Sequence, residues 1–267
     1  GPEFNELKKM AGINTGITAT GTAIGGGAVA VGFAKTATDK QIAELEQQIC
    51  DAGGCDPDRI EKMSDTDFFN NVLQPMALIA ELNRMNARSK RLGNWRTGLM
   101  AGNTATNIAG AVIAGKNRTD KTTREIIDGC VSAVQDLRRI TPQARLDGTD
   151  NEQISYAENI ISKCGGWEYV NLDKIDRRAN GAMWSSITGT AIGTAGVVTS
   201  AVANSDRTRM DNTDAGKRQE KNLNTASNAL AIGATAASAT ATVFNATQIA
   251  AIKQAVETAA ECEAALN

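Results

Sequence analysis

Four long runs free of both charge and proline constrain this chain more than any other feature. They are 11–34, 97–115, 179–205 and 222–252, and each is built largely from Gly, Ala and Thr. Neither Thr nor Gly is a strong helix former, so propensity alone does not make these runs helical. Periodicity does. Ile42, Leu45 and Ile49 continue the first run at helical spacing, and Leu82, Met85, Leu92 and Leu99 lead into the second. In the fourth, Leu223, Leu230, Ala237, Phe244 and Ala251 recur every seventh residue, the spacing of a helix seam. With aromatics at 4% and only 4 Pro in 267 residues, strand formers and breakers are both scarce. The expectation is an all-α chain.

Small residues four apart share one helix face. Gly12/Gly16, Gly21/Gly25, Gly98/Gly102 and Gly189/Gly193 all have this spacing. Two backbones meeting at such pairs approach closely and recover the dispersion that large side chains would otherwise supply. Gly21, Gly25, Gly98, Gly102, Gly189 and Gly193 are therefore the expected points of close helix packing.

The runs also repeat. The segment 20–25 (TGTAIG) recurs unchanged at 188–193, and 103–107 (NTATN) recurs as 224–228 (NTASN). Two different matches in the same order predict a duplicated helical hairpin. The expected fold is an elongated antiparallel four-helix bundle made of two related hairpins, with a short helical insertion at the tip of the first. The first hairpin spans 5–140 with the insertion at about 50–82, the connection 141–170, and the second hairpin 171–267. Gly1-Pro2-Glu3-Phe4 reads as a protease scar with cloning residues and is set aside from fold reasoning. Local signals fill in the connections. Ser64-Asp65 and Asp150 read as helix starts, Gly165-Gly166 as a helix end, Pro75 as a break or kink, and Thr141-Pro142 as the start of another turn.

Five cysteines are present: Cys50, Cys55, Cys130, Cys164 and Cys262. Cys50 and Cys55 bracket a flexible Gly-containing stretch and suit a small disulfide loop. In an antiparallel bundle Cys130, Cys164 and Cys262 fall toward one end, where Cys130 with Cys164 is the expected staple. Disulfides imply an oxidising compartment, and hence an extracytoplasmic location. The odd count leaves one thiol over or pairs it between chains.

Composition removes whole classes of chemistry. There is no His, so the commonest general base and metal ligand is missing. The cysteine spacing is not that of a zinc knuckle. No catalytic, cofactor or metal residue is expected. Residues 110–117 (GAVIAGKN) approach a phosphate-binding loop, but Asn117 replaces the required hydroxyl and the segment reads as a helix end. Arg84, Arg88, Lys90, Arg91 and Arg96 form a basic cluster beside Trp95. The net charge of -2 gives it no reinforcement as a nucleic-acid surface, so ion pairs with Glu44, Glu46 and Asp51 are the expected role.

Two functions fit. The first is a non-catalytic structural or adhesive module of an extracytoplasmic surface, secretion or filament assembly. Its partners are other protein subunits, met through Phe68, Phe69, Trp167 and Tyr169 at exposed tips. The second is a membrane-active helical protein such as a pore former. Each uncharged run approaches or exceeds the roughly 20 residues that cross a bilayer, and Lys or Arg flanks each. Their Thr, Ser and Asn content weakens insertion and favours the first reading.

Overall fold

A computed structural model describes residues 2–51, 65–148, 150–211 and 213–266; the side chains of residues 2 and 65–75 fall outside it. The chain is all-α, with no strand among the described residues. In chain order the helices are α1 (Pro2–Ile49), α2 (Asp65–Lys116), α3 (Lys121–Leu146) and α4 (Asn151–Cys164). A short 3-10 segment (Gly165–Tyr169) follows, then α5 (Leu172–Ala203), α6 (Asp206–Arg209) and α7 (Asp214–Leu266).

The terminal signals place these boundaries. Asp120 and Asp150 cap α3 and α4, their carboxylates accepting from the amides of Thr123 and Glu152, and Gly165 ends α4. Helix α2 is described from Asp65, and the expected Ser64-Asp65 start falls at the edge of the described residues. The prolines behave differently from expectation. Helix α2 includes Pro75, so residues 65–82 belong to that long helix and not to a separate insertion. Residues 52–64 of the expected insertion lie outside the described residues. Pro142 lies inside α3. Its missing amide removes one ladder bond, and only a single turn of helix follows it.

Two compact units emerge, each drawn from both halves of the sequence. The first comprises Gly1–Thr20, Thr106–Thr188 and Ala237–Asn267; the second comprises Gly21–Ala105 and Gly189–Ala236. The first holds an apolar cluster that includes Phe4, Leu7, Ile127, Val134, Trp167, Ile175 and Ile252. Phe4 is 3% exposed and its ring centroid lies 5.8 Å from that of Trp167. The first residues of the chain therefore build core, which the sequence reading had excluded. Trp167 is buried for the same reason and is no surface anchor, whereas Tyr169 is exposed.

The second unit shows how the repeat is used. Ile24 of α1 packs over Gly102 of α2, and Ile192 of α5 packs over Gly233 of α7, with methyl groups 3.4 and 3.3 Å from where a glycine Cβ would stand. Gly25 faces Thr235, and Gly193 faces Thr104. Each contact has its counterpart once α1 is exchanged for α5 and α2 for α7. The match of 20–25 with 188–193 is thus structural. The second match is not: Gly102 corresponds to Gly233 and Thr104 to Thr235, which places Asn103 opposite Ala234 and not opposite Asn224. A short identity in a biased composition set the wrong register.

Candidate functional site

Buried positions step by three and four residues along every long helix. In α1 they run Ala11, Asn14, Thr18, Gly21, Gly25, Ala28 and Gly32 to Lys35; in α7 they run Asn224, Ser227, Ala231, Ala234, Ser238, Ala241 and Asn245 to Gln248. This is coiled-coil spacing, yet small or polar side chains occupy it. Leu223, Leu230, Ala237, Phe244 and Ala251 are only half-buried, one position off the seam they were expected to form. The larger apolar side chains of α7 therefore lie on the flanks of this seam.

The polar interior is hydrogen-bonded across helices. In the first unit the amide of Asn14 donates to Asn245 at 3.0 Å, Ser238 to Asn107 at 3.0 Å, and Asn117 to Gln248 at 3.3 Å. In the second, Asn103 donates to the carbonyl of Gly21 at 2.6 Å. Arg96 is fully buried there. Its Nε reaches Ser200 at 2.9 Å, Nη1 reaches Asn228 at 3.0 Å and Nη2 reaches Asn224 at 2.8 Å. All three acceptors are neutral, and burial draws the guanidinium down to about 10 against the opposing pull of Asp39. Lys35, also fully buried, holds Asp39 at 2.7 Å, and burial lowers its ammonium as well. The basic cluster therefore does not act as expected. Arg96 enters the core, Lys90 pairs with Asp206, Arg84 pairs with Glu81, and Glu46 is taken by Lys217.

The outward faces invert the usual distribution. Exposed positions within the uncharged runs include Ile13, Ala23 and Phe33 on α1, Ala105, Ile108 and Val112 on α2, Trp184, Ile187 and Val198 on α5, and Ile232, Ala236 and Val243 on α7. Trp95 on α2 and Trp184 on α5 are 66% and 62% exposed. An ordinary soluble surface is roughly a quarter to a third charged. Trp95 lies just before its run, one turn from exposed Arg91, whereas the faces within the uncharged runs carry no charge. Their threonines are partly neutralised too. The hydroxyls of Thr20, Thr194, Thr199 and Thr247 donate to carbonyls of their own helices at 2.8–2.9 Å. Three helical stretches are long and apolar enough to cross a membrane by length and composition, and only 28% to 33% of each apolar window is buried.

The glycines divide by face. Gly25 and Gly193 sit at close contacts and Gly102 lies under Ile24, while Gly21 and Gly189 are buried. Gly98, Gly12 and Gly16 face open space, so spacing alone did not reveal which small residues meet a partner. Phe68 and Phe69 lie in the first turn of α2, with side chains outside the described residues.

Among the cysteines, Cys164 joins Cys262, not Cys130, with Cα atoms 4.4 Å apart across 98 positions of sequence. Cys130 is a free, half-buried thiol packed against the same apolar cluster. The end of α4 faces α7 in the first unit, and this decides the pairing. Cys50 is disulfide-bonded, whereas Cys55 lies outside the described residues. Among the described residues no group of three or more His, Cys, Asp or Glu is placed to hold a metal ion.

No protein-family model matches the sequence, and neither a curated protein nor a solved structure is significantly similar to it.

Proposed function

We propose that this chain is a non-catalytic structural module of an extracytoplasmic assembly, whose uncharged helix faces pack against neighbouring protein subunits. In this reading α1 with α2, and α5 with α7, are two related hairpins of one antiparallel four-helix bundle. The observation that carries the proposal is the inverted distribution of residues. Asn, Ser, Lys35 and Arg96 fill the interior, while Phe33, Trp184, Val198 and Val243 point outward from faces without charge. Large exposed apolar surfaces mark interaction sites. Faces of Ala, Gly and Thr let another helix approach closely, and a few aromatics supply anchors. The Cys164–Cys262 disulfide supports an oxidising location.

A second reading places the same faces against lipid. It is favoured by the three stretches of spanning length and by the threonine hydroxyls turned back on their own helices. Photo-crosslinking in the native cell from positions 33, 95 and 184 separates the two. Protein adducts support the module and lipid adducts the membrane reading. Failure to form adducts of either kind at all three positions counts against both.

A further inference from the structure

The second unit contains a cavity of about 570 Å³ between α1, α2, α6 and α7. This volume lies in the range of small-molecule sites. Asp39, Ile42, Ala43 and Glu46 of α1 line it, with Arg209 of α6 and Glu220 of α7. Lys40 and Lys221 also line it and are exposed, and the remaining charges in the wall are almost all committed. One Asp39 oxygen takes Lys35 and the other takes Ser89. Glu46 takes Lys217 at 2.9 Å. Arg209 is spent on the carbonyl of Asn86 at 2.9 Å and on Ser89 and Asn204.

Glu220 is the exception. Its side chain is only 26% exposed, and its one ion pair is a 4.0 Å approach of Oε1 to Lys35, whose ammonium already sits 2.7 Å from Asp39. Burial pushes its carboxyl above the usual glutamate range, as expected of an incompletely compensated anion. A carboxylate of this kind lacks a cationic donor. Ile42 and Ala43 in the same wall offer an aliphatic surface beside it. A divalent metal is the poorer match, because Asp39 and Glu46 already hold partners and a metal needs several free oxygens.

We propose that this cavity binds a small aliphatic amine, its ammonium group held by Glu220 and its carbon chain lying against Ile42 and Ala43. The site is independent of what covers the outer helix faces.

Isothermal titration of the full chain with butylamine and with putrescine tests this, with butyrate and magnesium chloride as contrasts. Saturable binding of at least one amine is expected, weakened about tenfold or more by Glu220→Gln. Butyrate and magnesium should give no saturable heat. Ile42→Trp provides a second variant that fills the cavity from the α1 side, and it should also block the amine. Absence of amine binding to the wild-type chain, or equal binding by both variants with native-like melting, overturns the assignment. So does a preference for butyrate.

Discussion

Arg96 concentrates the chemistry of the interior in one side chain. A guanidinium buried among neutral acceptors has lost much of its hydration, and its bonds to Ser200, Asn228 and Asn224 must replace that loss. Arg96→Ala would leave three buried oxygens short of a donor and open a cavity. We expect it to destabilise the fold by about 3–5 kcal/mol in urea denaturation. Arg96→Lys should recover only part of this, since one ammonium cannot span three acceptors set for a planar fork. Glu220 gives the pH dependence. Its carboxyl is raised by burial, so the folded state favours the neutral form. Its contribution to stability is fully present below the unfolded glutamate value and is lost as pH rises through the raised folded value. Denaturation across that window should show this loss in the wild-type chain, and Glu220→Gln should remove it.

At the scale of the helix, the glycines test whether the packing is read correctly. A methyl group at Gly25 or Gly193 would run into the Thr235 or Thr104 hydroxyl. Each Gly→Ala change there should cost about 1–3 kcal/mol. At Gly98 nothing lies within 4 Å, so Gly98→Ala should instead stabilise by about 0.5–1 kcal/mol through helix propensity. Thermal melting of the three variants reads the contrast, and equal effects at all three would refute the assigned faces. The same glycines show how much of the fold was legible. Helix identity, the Asp150 cap and the α1/α5 repeat follow from local chemistry, which the sequence displays. The face of each helix does not, because Ala, Gly and Thr occupy both sides of α1 and hydropathy cannot rank them. Leu230 and Phe244 therefore marked the flank and not the centre. Trp167 and Phe4 were misjudged because their burial depends on each other across long sequence separation. For the cavity, charge spacing along α1 and α7 gave no signal that Glu220 would be left underpaired.

For the whole molecule, two features bear on where and how it works. The Cys164–Cys262 bridge ties together two segments of the first unit that lie 98 residues apart in sequence. Cys262→Ser should lower stability by about 2–5 kcal/mol, and thiol mapping of the oxidised chain should find Cys130 reactive with Cys164 and Cys262 protected. The second feature is the set of outward faces, uncharged around Phe33 and Trp184, that also expose Trp95 one turn from Arg91. Water is a poor surrounding for such faces, and we propose that they are covered when the protein works. Oxidative footprinting of the purified chain and of the same chain in its native setting measures this directly. Trp95 and Trp184 should oxidise readily in the purified chain and become protected in the native setting, while buried Trp167 stays protected in both. Equal oxidation of Trp95 and Trp184 in the two settings would contradict the account.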